Sequence, residues 1–123
     1  MKVVVVGNGG IGKTRWVTSL LNGSGNYKPY QEGKYTPTQG VEVHPYCYNN
    51  KVYKIWDLAG DSRYRGLADG YYINATHFIV IADNQEQASP WISEIQRVSD
   101  APIKIYRPDR LMKNPQQPFI ELN

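Results

Sequence analysis

Gly7-Asn8-Gly9-Gly10-Ile11-Gly12-Lys13-Thr14 follows directly on the apolar run Val3-Val4-Val5-Val6. The octapeptide fits the spacing G-x-x-x-x-G-K-[ST], a strand-to-helix loop that wraps phosphate. Its glycines let backbone N–H groups approach anionic oxygens without a Cβ in the way. The helix that follows turns its positive end toward the same anion. Lys13 supplies a point charge for β- and γ-phosphates, and the Thr14 hydroxyl is placed to bind Mg²⁺. The expected contact run is Gly7, Asn8, Gly9, Gly10, Ile11, Gly12, Lys13, Thr14 and Arg15. At average composition the four fixed positions match by accident on the order of once in a few hundred chains of this length. That rarity, with strand and helix on either side, favours a phosphate site over a chance glycine-rich turn.

The 123 residues suit one domain, 1–123, with one core. A net charge of +3 comes from scattered Lys and Arg, with no basic run, so most of these charges read as solvated surface and no nucleic-acid partner is expected. The single cysteine, Cys47, excludes an internal disulfide and fits a reducing compartment. No stretch is long and apolar enough for a membrane span, and neither a leader nor a prenylation cysteine is seen. A soluble protein of the cytoplasm or nucleus is expected, with no membrane partner.

Outward from the loop, residues 2–6 read as a buried parallel strand, because their apolar residues run continuously. A helix is expected from about 12 to 21, with Trp16, Val17, Leu20 and Leu21 on one face and Asn22-Gly23 as its stop. Residues 23–40 carry six glycines or prolines among tyrosines and polar residues and read as a long loop. Residues 41–48 and 52–58 flank Asn49-Asn50-Lys51 as a β-hairpin. Residues 78–82 form a second buried strand. Ser89-Pro90 predicts a helix start, followed by the stripe Trp91, Ile92, Ile95 and Val98, read as core packing. Residues 103–106 and 119–122 are short strand candidates. The alternation predicts an α/β layer fold with right-handed crossovers.

Three further residues sit where a Mg-nucleotide site needs them. Asp57 ends a strand near the phosphate loop and can hold Mg²⁺ through water. Gly60 can offer its N–H to a γ-phosphate, and Thr38 a second hydroxyl to the metal. At this point the chain resembles the Ras-like small GTPases, and among them the Ran branch. The matches are residues 2–14, Gly40-Val41-Glu42-Val43-His44-Pro45, Trp56-Asp57-Leu58-Ala59-Gly60 and Gly66-Leu67-Ala68-Asp69-Gly70-Tyr71-Tyr72-Ile73. The resemblance covers residues 2 to about 106. It implies a P-loop NTPase fold, a Ras-like three-layer sheet with helices on both faces. It implies Mg²⁺ with GTP/GDP or another nucleoside triphosphate, and partners such as nuclear transport receptors or a guanine-nucleotide exchange factor. Tyr35 and Thr38 then lie in switch I, and residues 57–72 are switch II and its helix, loops that the γ-phosphate orders. His44 has no partner for acid-base or metal chemistry and reads as packed or hydrogen-bonded on the hairpin. Tyr27 or Tyr30 can stack on a base; the other tyrosines read as packing.

The chain departs from that family in three places. Asp61 stands where the family has a glutamine whose amide orients the attacking water. A carboxylate accepts from water but cannot donate to the γ-phosphate. Asp61 and Lys13 are therefore the catalytic candidates, with hydrolysis expected to be weak or absent. Arg63 and Arg65 can neutralise Asp61, or are solvated arginines of a loop. Second, the guanine-reading Asn-Lys-x-Asp is replaced by Tyr106-Arg107-Pro108-Asp109. Arg107 and Asp109 can fill the lysine and aspartate places, or the segment is an ordinary turn. Third, the chain is expected to be truncated. It lacks the family's C-terminal helix and the helix after the base motif, which leaves one sheet face uncovered. A compact copy captured by a large DNA virus would look like this. Two classes of function follow: a switch with slow hydrolysis, or a non-catalytic mimic that engages Ran partners. A P-loop kinase is disfavoured, because no lid or acceptor signature follows.

Overall fold

The computed structural model describes residues 1–22, 41–58 and 69–122. Its elements are β1 (Lys2–Gly7), α1 (Lys13–Asn22), β2 (Val41–Tyr48), β3 (Lys51–Leu58), α2 (Asp69–Tyr72), β4 (His77–Ile81), α3 (Gln85–Gln96), β5 (Ile103–Tyr106), α4 (Pro108–Lys113) and α5 (Gln117–Glu121). The strands form one sheet in the order β2-β3-β1-β4-β5. β1 runs parallel to β3 and β4, β4 parallel to β5, and only the β2–β3 hairpin is antiparallel. Four consecutive valines occupy β1 because both of its faces are covered. Val3 and Val5 pack with α1, and Val4 and Val6 pack with α3, all fully buried. The hairpin turns through Asn49 and Asn50 at φ 52° and 65°. This left-handed pair matches the twist of the flanking strands, and Asn tolerates it better than most residues.

The helical expectations hold for α1, whose Trp16, Val17, Leu20 and Leu21 are buried along one stripe. They shift for α3. That helix starts at Gln85, not at Ser89-Pro90. Asn84 caps it by accepting from the Gln87 N–H at 3.0 Å, and the Gln87 side chain accepts from the Asp83 N–H at 2.9 Å. Pro90 lies inside the helix. The carbonyl it leaves without a donor is that of Glu86, an exposed residue that water can reach. Trp91 and Ile95 of the expected stripe are buried, Ile92 is half-buried, and Val98 is exposed.

The larger correction concerns the C-terminal segment. The segment expected as a strand at 119–122 is instead the end of helix α5 and its cap, Leu122, and the sheet face expected to lie bare is covered. Pro118 cannot donate to a strand ladder, but it suits the first turn of a helix. Phe119 then points into the layer that holds α1. Its ring lies 4.8 Å from Tyr46, 5.0 Å from Tyr53 and 6.4 Å from both Trp16 and Tyr48. Leu111 of α4 joins the same core. Polar contacts fix the arrangement: Trp16 Nε1 donates to the Pro115 carbonyl at 2.9 Å, and Gln116 Nε2 donates to Tyr46 Oη at 3.1 Å. Tyr106 Oη donates to Glu121, which holds the Glu121 carboxyl below its usual range. Two short helices thus do the covering that one long terminal helix was expected to have left undone.

Candidate functional site: the loop between β1 and α1

Register explains why the loop begins with glycine. Gly7 pairs with Ile81 of β4, and a Cβ on Gly7 would come within 2.7 Å of the Ile81 carbonyl oxygen. Gly10 and Gly12 carry φ of +79° and +100°, conformations that L side chains rarely adopt. The chain so bent closes an internal turn, Ile11 N–H to Asn8 carbonyl at 3.2 Å, and enters α1 with the Trp16 N–H bonded to Gly12 at 2.9 Å. The first turn of α1 contains no acidic residue, so nothing local offsets its positive end. A cavity of about 250 Å³ lies over the loop, lined by Asn8, Gly9, Gly10, Gly12, Lys13, Thr14 and Arg15. Of the expected contact run, Gly7 lies in the sheet and Ile11 packs against the core beneath.

Asp57 reaches this loop from β3. It pairs in register with Val5, two residues before β1 ends, and its side chain is fully buried. Lys13 Nζ donates to Asp57 Oδ1 at 2.9 Å, and Thr14 Oγ1 donates to Oδ2 at 3.4 Å. Burying two charges costs several kcal/mol each, and only close pairing offsets it. The ion pair gives each group a close partner, and Lys13 is among the residues that line the cavity. Hard oxygens of a hydroxyl and a carboxylate are the donor types that Mg²⁺ takes. Among the described residues there is no cluster of three or more His, Cys, Asp or Glu that could hold a metal. His44 instead bonds on the hairpin, its Nε2 3.4 Å from Glu42 Oε2.

The candidate base-reading segment sits at the same end of the sheet. Tyr106 pairs with Ile81, which pairs with Gly7, so residues 107–109 emerge two strands, roughly 10 Å, from the loop. Pro108 opens α4 directly, and Arg107 Nε lies 3.3 Å from Asp109 Oδ1. Both side chains are more than half exposed. Asp109 is thus already paired with its neighbour on the surface. Tyr27, Tyr30, Tyr35, Thr38, Gly60, Asp61, Arg63 and Arg65 lie outside the described residues.

One contact at the loop had no warning in the sequence. Trp91 of α3, read there as core, donates its indole N–H to Asn8 Oδ1 at 2.9 Å. The partners are 83 residues apart, and no local pattern announces such a pairing. Among the described residues, no helix is long and apolar enough to cross a membrane. A family model described as Roc, "Ras of Complex, Roc, domain of DAPkinase", matches residues 2–106, the whole of the chain from β1 to the end of β5.

Proposed function

Because the chain belongs to the Roc family of Ras-like GTPase domains, a GTPase-type nucleotide-binding fold, we propose that it is a Mg²⁺-dependent molecular switch with slow or no hydrolysis. Its ligand is GTP/GDP or another nucleoside triphosphate. The observation that carries this reading is the buried meeting of Lys13, Thr14 and Asp57 beneath the glycine cavity. The residues fit the ligand. Gly10 and Gly12 bend the backbone as a phosphate cradle requires, and Thr14 and Asp57 offer hard oxygens. Thr14 and Asp57 would hold Mg²⁺, which would offset phosphate charge. Lys13 would supply its cation to the phosphates. The N-terminus of α1 and the loop amides orient the chain of phosphates.

The resemblance to the Ran branch extends the proposal to an intracellular place of action, cytoplasm or nucleus, and to transport receptors or an exchange factor as partners. A specific observation favours the second reading, a non-catalytic mimic of such a switch. Val43 and Ile73 are 44% and 58% exposed. Val43 pairs in register with Trp56, whose ring lies 6.2 Å from that of Tyr71. Exposed apolar side chains of this kind suit a partner surface. Native purification followed by nucleotide extraction separates the two. Bound guanine or adenine nucleotide supports the switch, and an empty protein that captures Ran partners supports the mimic.

Base preference should be weak, because Asp109 is exposed and paired with Arg107. Competition of GTP against ATP for a fluorescent nucleotide checks this. A preference above about a thousandfold, roughly 4 kcal/mol, would require a complete base-reading site and contradict the expectation. Hydrolysis should respond to residue 61. Glutamine both accepts from water and donates toward the transition state, whereas an ionised aspartate only accepts. Asp61→Gln should therefore raise the single-turnover rate, by up to a few kcal/mol of barrier if the rest of the site is competent. A measurable wild-type rate that the substitution lowers would make Asp61 a working catalytic group.

A further inference from the structure

A side-chain bond ties the phosphate loop to α3, the indole N–H of Trp91 to Oδ1 of Asn8 at 2.9 Å. The donor is held firmly. Trp91 is 2% exposed and lies between Ala88 and Ile95, both fully buried, on the inner face of α3. The start of that helix is pinned by two bonds, Gln87 N–H to Asn84 Oδ1 and Asp83 N–H to Gln87 Oε1. The acceptor is at a sensitive place. Asn8 is the second residue of the loop and lines the cavity, and its carbonyl closes the turn by accepting from Ile11. Three of the next four residues are Gly9, Gly10 and Gly12. They have no side chain to anchor, and they lose more conformational freedom on ordering than other residues.

We propose that Trp91 is a positioning residue of the nucleotide site: its indole holds Asn8, and through Asn8 the curvature of the phosphate loop. The inference rests on the nucleotide-binding reading of that loop. A nucleotide then meets donors that are already arranged, and less of its binding energy goes into ordering glycines. The bond also gives α3 a mechanical hold on nucleotide retention, since a shift of that helix would be felt at the second residue of the loop.

Two measurements on the intact chain decide the matter: hydrogen exchange of the amides at 9–12 without nucleotide, and the rate of nucleotide release. Trp91→Phe keeps an aromatic ring and removes the N–H. It is expected to speed both about fivefold, the change that one net hydrogen bond gives. Asn8→Ala should do the same, and the double variant should be no faster than either single one, because both substitutions remove the same bond. Asn8→Asp keeps an acceptor and should retain wild-type exchange. Ile95→Val loosens the same core without touching the bond and should leave the loop amides unchanged. Wild-type exchange in Trp91→Phe, or equal acceleration by Ile95→Val, would overturn the proposal. A wild-type protein that retains no nucleotide would remove the nucleotide reading, while the exchange experiment still decides whether Trp91 holds the loop.

Discussion

Replacement of Lys13 by methionine is expected to abolish nucleotide retention and to destabilise the fold at the same time. Methionine keeps an unbranched stem of similar length and removes only the charge. The stem is needed, because Lys13 is only 8% exposed along its side chain. What is lost first is the partner of Asp57, a carboxylate with no exposure of its own. Among the described residues its other side-chain contact is Thr14 at 3.4 Å, too long to replace an ion pair. Removing one member of a buried pair costs about 3–5 kcal/mol, because the other charge is left uncompensated. The second loss is the cation that faces phosphate.

These two losses separate in the double variant. Lys13→Met with Asp57→Asn leaves no buried charge, so urea unfolding should return most of the stability. Nucleotide retention should stay abolished, since the phosphate cation is still missing. Retention at the wild-type level in Lys13→Met would mean that the loop does not bind phosphate. Stability unchanged in the single variant would mean that the 2.9 Å pair carries no net energy.

Residues that specify the loop are local to it, which is why β1, the glycine bend and α1 could be read from sequence. A continuous valine run, glycines at fixed spacing and an amphipathic stripe each act over a few residues, and together they dictate β1, the bend and α1. Asp57 was legible as the end of a strand. Its pairing with Lys13 was not, because that contact spans 44 residues. The start of α3 was misread because two start signals compete within six residues. Asn84 with Gln87 satisfies orphan N–H groups, while Ser89-Pro90 only resembles a start. The C-terminal segment failed for a different reason. Phe119-Ile120-Glu121-Leu122 is too short to tell strand from helix by period. What decides it is a pocket built by Trp16, Tyr46 and Tyr53, residues distant in the chain. The candidate segment 107–109 lay between these cases: its position at the same end of the sheet as the loop followed from β5, but the Arg107–Asp109 pair did not.

Phe119→Ala is expected to be the most destabilising truncation in the C-terminal segment. The ring is fully buried and meets four aromatic neighbours. Truncating a buried phenylalanine costs about 3–5 kcal/mol, the transfer of the ring plus the cavity left behind. Domains of this kind have only about 5–15 kcal/mol in total, so the loss should move the melting temperature by on the order of 10 °C or more. Helix propensity cannot be the cause, since alanine is the better helix former. Ile120→Ala supplies the comparison. It is the next residue in α5, 47% exposed, and its truncation should stay within roughly 0.5 kcal/mol. The difference between the two then measures packing of α5 on the sheet and nothing else. Phe119→Leu should fall between them, because it fills part of the cavity but loses the ring contacts. If Phe119→Ala cost no more than Ile120→Ala, α5 would not be docked on this face. The sheet would then lack this cover on the α1 side.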